Sequence, residues 1–302
     1  MDHEFMELLL DQTHFPQEAR QELHRCVCLL EQAGQDETLE EAVAFFYRNQ
    51  FDVKVTEPLL QAIGQATGIP LYTVWLLLLI QASVPAKSLY RRQGIEEEIF
   101  WNTFSDLTYK LYECKNVQGV WGNFVPHWYS IFFTGDIVKL GRLEYENSTY
   151  DWDQPYQGCG ITLQKGTPVK NIHIPSSGEP FTLDARLDSY RQAYEFFREE
   201  LQGGPLVCVC GSWLLYPPYR DILPSTSHVV DFMGDFQILG GEAEEVFHDA
   251  WRVFGADAQK PFPQLPEKTS MQRAFKQYLL SGKKTGEGFG VLVFDGERLL
   301  TR

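Results

Sequence analysis

Positive charge is scarce in this 302-residue sequence, in which 26 lysines and arginines stand against 41 aspartates and glutamates. The formal net charge at pH 7 is −15. A surface with this excess of negative charge repels the phosphates of nucleic acids and anionic lipid headgroups. We therefore expect neither a nucleic acid nor a membrane among the partners of the protein.

Long hydrophobic runs are also missing. The most apolar stretch, LYTVWLLLLI at residues 71–80, is about half of the roughly 20 residues that a helix needs to cross a bilayer. The N-terminal sequence MDHEFMELLLDQTHF lacks the basic start and the small-residue cleavage site of a secretory signal. The sequence therefore predicts a cytoplasmic protein.

Cysteine is sparse and never occurs in the CxxC pattern of redox and zinc sites. Two CxC pairs, Cys26 with Cys28 and Cys208 with Cys210, lie in apolar segments. This placement is typical of buried free thiols in a reducing compartment. His24 does not complete a metal site with the first pair, because residues i and i+2 do not share a helix face. The sequence thus predicts no metal ion.

Apolar residues, in contrast, are abundant. They make up 44% of the sequence, which is enough for a large core in a chain of this length. In residues 1–126 they recur at three- and four-residue spacing, which predicts an all-α domain with breaks at Gly34, 67–70 and 83–85. The predicted helices are 5–10, 17–32, 38–49, 57–66, 71–81 and 95–114.

From residue 127 to residue 302 the pattern mixes strands and helices, beginning with a run of period two at 137–145. The predicted strands are 137–145, 160–164, 169–174, 206–210, 229–239 and 289–295, and the predicted helices are 182–200, 217–223, 243–254 and 270–281. The order around the helix at 182–200 predicts a βαβ crossover within a partly antiparallel sheet. The predicted fold class is α+β, with a helical domain at 1–126 and a mixed-sheet domain at 127–302.

Several segments between residues 100 and 290 resemble, in order, a known bacterial family. They are FSDL at 104–107, VWGNFVPHW at 120–128, LGRLEYE at 140–146, IHIPSSGEPFT at 172–182, DSYRQAYEFF at 188–197, SWLLYPPYRDILP at 212–224, HVVDFMGDFQI at 228–238 and LPEKTSMQRAFKQYLLSGKKTGEGFG at 265–290. The family joins a helical N-acyltransferase N-terminal domain to a GNAT-like C-terminal acyltransferase domain. The resemblance implies acyl transfer from acetyl-CoA or another acyl-CoA to a small-molecule amine.

The resemblance also implies where acyl-CoA would bind. The βαβ unit would hold it, with the pyrophosphate at Ser176, Ser177 and Gly178, because the free N–H groups and dipole of a helix N-terminus favour an anion. The backbone N–H of Ile174 would face the thioester oxygen, and Ser212 would contact pantetheine. The loop lacks the usual [QR]xxGx[GA] signature and contains the acidic Glu179, so an ordinary capped loop is the alternative interpretation.

Four residues are candidates for proton transfer. His173 is the first candidate base, because an imidazole can accept a proton from an amine, directly or through water. Glu144 is the alternative base, although an ion pair with Arg142 on the same strand face also explains it. Tyr216 and Tyr219 lie where related enzymes place the acid for the departing thiolate, and packing around the Pro-Pro turn is their structural alternative.

Two hypotheses about function therefore remain open. The first is an enzyme that transfers an acyl group from acyl-CoA to an amine. The second is a protein that binds CoA or another small ligand on the same scaffold without catalysis, because a fold does not fix a function.

Overall fold

Helices fill the first part of the chain, as the apolar periodicity predicts. The computed structural model describes residues 1–302 and divides them into two units, Met1–Lys139 and Leu140–Arg302. The helices of the first unit are α1 (His3–Gln12), α2 (Gln17–Gln32), α3 (Asp36–Arg48), α4 (Val53–Thr67), α5 (Leu71–Arg92), α6 (Glu97–Phe104), α7 (Asp106–Gln118) and α8 (Ser130–Phe133).

Helix α5 continues through the break that the sequence predicts at 83–85, so that prediction is wrong. Ser83 and Ala86 are buried, and the hydroxyl of Ser83 donates to the carbonyl of Leu79. Packing of this segment therefore outweighs the helix-breaking effect of Pro85. By length and composition α5 is the one helix that is apolar enough to cross a membrane, but 67% of its apolar window is buried in the protein, as in a core helix.

The helix predicted over 95–114 is divided in two at Ser105. The first unit also extends beyond the boundary predicted between residues 126 and 127. Phe132 packs against Phe104 and Phe133 against Phe46, with ring centroids 5.9 and 6.0 Å apart. Because these aromatic contacts tie residues 126–139 to the helices, the division falls after Lys139.

The second part of the chain contains a mixed sheet, which confirms the predicted α+β class. The strands are β1 (Ile137–Leu140), β2 (Leu143–Thr149), β3 (Tyr156–Gly158), β4 (Ile161–Leu163), β5 (Pro168–His173), β6 (Leu206–Ser212), β7 (Gln237–Ala243) and β8 (Gly286–Phe294). The helices are α9 (Leu183–Phe196), α10 (Arg198–Leu201), α11 (His228–Met233), α12 (Ala250–Phe254) and α13 (Ser270–Leu280).

The main sheet has the strand order β1-β2-β5-β6-β8-β7, and β3 and β4 form a separate hairpin. Only β5 and β6 are parallel; β2 with β5, β6 with β8 and β7 with β8 are antiparallel. Helix α9 connects the parallel pair, which confirms the predicted βαβ unit.

Two strand predictions are wrong. The strand expected at 137–145 is interrupted at Gly141, which has a φ of 61° and turns the chain between β1 and β2. The strand expected at 229–239 begins as helix α11, because the hydroxyl of Ser227 caps the N–H of Val229 and Phe232 is buried. Helix α12 is also much shorter than the helix predicted at 243–254.

The two faces of the sheet are covered differently. On the helix face, the hydroxyl of Tyr145 lies 2.9 Å from that of Ser189 on α9. On the hairpin face, Val209 and Val291 pack in one apolar cluster with Tyr156 and Leu163 of β3 and β4. Strand registers place His173, Asn171 and Glu146 on the hairpin face, beyond the part that this cluster covers.

Candidate active site

The parallel strands β5 and β6 pair over only two positions. Lys170 is opposite Cys208 and Asn171 is opposite Val209. Beyond that point β5 remains paired with β2 as far as His173, while β6 remains paired with β8 as far as Ser212. The two strands are therefore not paired with each other beyond that point, and we call the unpaired region between residues 172–174 and 210–212 the β5–β6 gap.

Gly211 leaves the hairpin side of this gap without a side chain. A Cβ atom at Gly211 would meet only the ring of Phe289, at 3.8 Å. That is an ordinary contact distance, so the glycine is not required by close packing. A larger side chain here would project from the hairpin face, which also carries His173.

The loop after β5 leads directly into the N-terminus of α9. Thr182 caps the helix by accepting a hydrogen bond from the N–H of Ala185 at 3.3 Å. Ser177 accepts one from the N–H of Glu179 at 3.3 Å, and Gly178 has a φ of 75°. Ser176 and Gly178 are exposed, so the predicted phosphate-binding residues lie on an accessible loop beside a helix N-terminus. Their role stays a prediction.

Buried arginines hold both ends of this loop. Nη1 of Arg142 donates to the carbonyl of Pro175 at 2.9 Å, and Nη1 of Arg186 donates to the carbonyl of Phe181 at the same distance. Arg186 is fully buried and also donates to the carboxylates of Asp235 and Asp231, at 2.6 and 2.8 Å. Burial by itself lowers the pKa of Arg186, but its two carboxylate partners outweigh that effect and raise it.

His173 belongs to a polar cluster at the mouth of the gap. Its Nε2 lies 2.7 Å from Oε2 of Glu146, and Nδ2 of Asn171 donates to the same oxygen at 3.0 Å. Burial tends to raise the pKa of Glu146, but the hydrogen bonds from His173 and Asn171 hold it below its ordinary value. Glu146 therefore stays ionised and can stabilise positive charge on the imidazole.

The second predicted base, Glu144, lies directly opposite His173 in the β2–β5 ladder. Its side chain is on the hairpin face and is only 1% exposed. The structure thus brings together two residues that the sequence offered as separate alternatives. Their individual roles stay predictions.

The two candidate acids have different surroundings. Tyr219 is fully buried among aromatic rings, where its hydroxyl accepts a hydrogen bond from the N–H of Gly286 at 3.4 Å and burial raises its pKa. This environment favours the packing interpretation for Tyr219. Tyr216 is 8% exposed and its ring lies over Gly241 and Gly286, which leave room for it. Register puts both glycines on the helix face of the sheet.

Ser212 stands at the carboxyl end of β6, next to the gap. Its hydroxyl accepts a hydrogen bond from the N–H of Leu214 at 3.2 Å and caps the short 3-10 helix at 213–215. Contact with pantetheine stays a prediction for this residue. The six cysteines are all free, and Cys26, Cys114, Cys208 and Cys210 are buried. No group of three His, Cys, Asp or Glu side chains is placed to hold a metal ion.

Glu146, Asn171, Phe181 and Arg186 are the functional candidates that sequence reasoning missed. Alternation along β2 puts Glu146 on the same face as Glu144, which is a usable signal. Its contact with His173, however, depends on the register between β2 and β5, and local pattern does not supply that register.

The sheet order, the open parallel pair and the crossover helix define the fold of a GNAT-like acyltransferase. The sequence profile of the N-acyltransferase N-terminal domain matches residues 4–135, and that of the GNAT-like C-terminal domain matches residues 137–292. The chain therefore belongs to the acyltransferase family that combines these two domains, which confirms the resemblance seen in the sequence. No curated protein matches the chain.

Solved structures of acyltransferases share this fold. One in complex with decanoyl-CoA and teicoplanin is 19% identical, with a TM-score of 0.72 over 95% of this chain and 87% of that chain. A mutant acyltransferase in complex with octanoyl-CoA is 19% identical, with a TM-score of 0.70 over 95% of this chain and 87% of its own. Another in complex with decanoyl-CoA is 20% identical, with a TM-score of 0.64 over 95% of this chain and 98% of that one.

Proposed function

We propose that the protein transfers an acyl group from acyl-CoA to the amine of a small molecule. The observation that carries the proposal is the β5–β6 gap with the His173–Glu146 pair at its mouth. Acyltransferases of the same fold bind octanoyl-CoA or decanoyl-CoA, and one of them is in complex with teicoplanin. We propose acyl-CoA as the co-substrate here, with acetyl-CoA as the shortest member of the range to be tested.

The loop and the gap supply the binding groups for acyl-CoA. The N–H groups at Ser176, Ser177 and Gly178 precede the α9 N-terminus, where the helix dipole favours the negative charge of a pyrophosphate. The unpaired inner edges of β5 and β6 offer backbone hydrogen bonds to the pantetheine amides, as the edge of a sheet does to an added strand. In this proposal the N–H of Ile174 donates to the thioester oxygen as negative charge develops there.

His173 is the proposed general base. When Nε2–H donates to Glu146, the basic lone pair of the neutral imidazole is on Nδ1, which accepts the proton of the attacking amine. The carbon–nitrogen bond forms, the carbon–sulfur bond breaks, and the thiolate takes a proton. We assign that proton donor to Tyr216, on the helix face, so that base and acid work from opposite faces of the sheet.

We propose an amine as the acceptor that attacks the thioester of acyl-CoA directly. The site offers a base to deprotonate an amine, and it offers no reactive cysteine that could carry the acyl group first. Burial raises the pKa of the Cys210 thiol to about 12, so this cysteine is not ionised at neutral pH and is a poor acyl carrier. The negative formal charge of the chain also favours the approach of a cationic amine over that of an anion. We further propose that the reaction takes place in the cytoplasm, where free thiols such as these persist.

Calorimetric titration with acetyl-, octanoyl- and decanoyl-CoA tests the binding step. Release of free CoA over a panel of primary amines tests transfer, and the His173→Ala variant is expected to lower kcat by about 10²–10⁴-fold with little change in the Kd for acyl-CoA. Absence of heat with all three acyl-CoAs contradicts the proposal. Equal turnover by wild type and His173→Ala rejects His173 as the base.

One observation favours the alternative of a ligand-binding protein without catalysis. The loop has a single glycine and carries Glu179 beside the proposed phosphate site, which opposes binding of a dianionic group. Binding of CoA together with no transfer to any amine in the panel would support this alternative. Transfer to one amine at a rate that depends on His173 would reject it.

A further inference from the structure

The loop proposed to hold the pyrophosphate is anchored through a single aromatic side chain. Phe181 is the last residue before the helix cap Thr182. The guanidinium carbon of Arg142 lies 5.0 Å from the centroid of the Phe181 ring, and that of Arg186 lies 5.2 Å from it. Both distances fall in the range of cation–π attraction, which is strongest where water is excluded.

The same two arginines bind the backbone at the two ends of the loop, through the carbonyls of Pro175 and Phe181. Ring and carbonyl contacts therefore act together on one short segment, residues 175–181. The ring of Phe181 also packs against Phe232 of α11, with centroids 5.0 Å apart. We call Arg142, Phe181 and Arg186 the arginine clamp.

Arg186 holds the loop in place and does not offer its positive charge to a ligand. Its guanidinium group binds Asp235 and Asp231, so its charge is compensated within the protein. The group is fully buried and its rotamer is fixed by partners on all sides. It can therefore hold the carbonyl of Phe181 at a constant place relative to the first turn of α9.

We propose that the arginine clamp positions the pyrophosphate-binding loop and replaces the glycine-rich signature that this chain lacks. In the glycine-rich form a compact turn brings the N–H groups to the phosphates; here side chains fix a loop with one glycine in place. Binding of CoA is then less costly in ordering entropy because the loop is held in advance. This inference deepens the proposed function and rests on it.

Phe181→Leu is the variant that tests the clamp, because it removes the aromatic face and keeps an apolar side chain. The matched control is Phe196→Leu at the other end of α9, where Phe196 is 37% exposed. Two ligands are compared by calorimetry: decanoyl-CoA and S-decanoyl-pantetheine, which lacks the pyrophosphate. Hydrogen exchange of the amides of residues 176–182 is measured on both variants without ligand.

Phe181→Leu is expected to weaken decanoyl-CoA binding about tenfold, because the half-buried ring loses its cation–π contacts with two buried guanidinium groups. It is expected to leave S-decanoyl-pantetheine binding unchanged and to speed exchange in the loop, whereas Phe196→Leu changes none of the three. Unchanged decanoyl-CoA binding, or an equal loss of both ligands, overturns the inference. If wild type binds neither ligand, the proposed function fails, and unchanged loop exchange in Phe181→Leu then separately refutes the clamp.

Discussion

The carboxylate of Glu146 lies 2.7 Å from Nε2 of His173, although the two residues are 27 positions apart in the sequence. Antiparallel pairing of β2 with β5 places both on the hairpin face, and Asn171 donates to the same carboxylate oxygen. The carboxylate therefore orients the imidazole as the third member of a catalytic triad does. Glu146 is a positioning residue in the proposed reaction.

Glu146→Gln is expected to lower kcat by about 10–100-fold, less than removal of the base itself. The Kd for acyl-CoA should stay near the wild-type value, because the carboxylate contacts the imidazole and not the co-substrate. The control is Glu200→Gln, which removes a carboxylate that accepts a hydrogen bond from Lys170, a residue of β5 like His173. A wild-type kcat in Glu146→Gln, or a loss as large in Glu200→Gln, contradicts the orienting role.

Gly211→Leu is expected to raise the KM for acyl-CoA by about tenfold or more, because its side chain would enter the β5–β6 gap from the hairpin face. Gly211→Ala should leave both KM and the melting temperature near the wild-type values, since the added Cβ meets only Phe289 at 3.8 Å. Steady-state kinetics and thermal melts distinguish these effects. Wild-type KM in folded Gly211→Leu would place acyl-CoA outside the gap.

Gly290→Ala provides the contrasting case for glycine in the same sheet. A Cβ atom there would lie 2.9 Å from Cβ of Phe236, so the sheet or the ring must move. We expect the free energy of unfolding to fall by about 1–3 kcal/mol, as for other overpacked sites. Urea denaturation measures this loss, and a change as small as that of Gly211→Ala would contradict the packing argument.

Arg186→Met is expected to lower the free energy of unfolding by about 2–3 kcal/mol, because the fully buried carboxylate of Asp235 then keeps only Tyr190 and the partly exposed Arg302 as partners. The control is Arg198→Met, whose ion pair with Glu195 is exposed on both sides and which should cost less than about 0.5 kcal/mol. Urea denaturation of both variants gives the comparison. Equal losses in the two variants would be inconsistent with the buried network described above.

Glu287 should destabilise the protein at neutral pH. Partial loss of hydration and the nearby carboxylates of Glu244 and Asp249 raise its pKa above the ordinary value. In the window between the unfolded and folded pKa the folded state binds more protons, so stability falls as pH rises through that window. Glu287→Gln should therefore raise the melting temperature by about 1–2 °C at pH 7 and not at pH 3. A rise of equal size at both pH values would contradict this assignment.

Local signals in the sequence were sufficient for much of the fold. The Thr182 cap, the helix after it and the parallel strands on either side follow from capping and from short apolar runs, which act over a few residues. The strand prediction at 229–239 is wrong at its start. The β-branched residues there favour a strand, but the cap at Ser227 and the burial of Phe232 stabilise a helix. Tertiary packing determines the structure of this segment, and a local sequence pattern carries no information about that packing.

The site shows the same division between local and long-range information. His173 is recognisable from its chemistry, and the loop from its place before a helix. Glu146 is missed because its role requires a strand register, and Arg186 because an arginine on a helix is expected at the surface. Its burial depends on Asp231 and Asp235, some 45 and 49 residues further along the chain.

Because β5 and β6 share so few paired positions, the backbone ladder contributes little to holding the two halves of the sheet at a fixed spacing. Helix α9 bridges them instead: Ser189 binds the β2 side, and Tyr190 packs on Phe294 of β8 with ring centroids 6.1 Å apart. The packing of α9 against both sides therefore helps to determine the width of the β5–β6 gap. Substitutions at Ser189 and Tyr190 are therefore expected to change which acyl-CoA thioesters fit the β5–β6 gap, by altering the spacing of the strands.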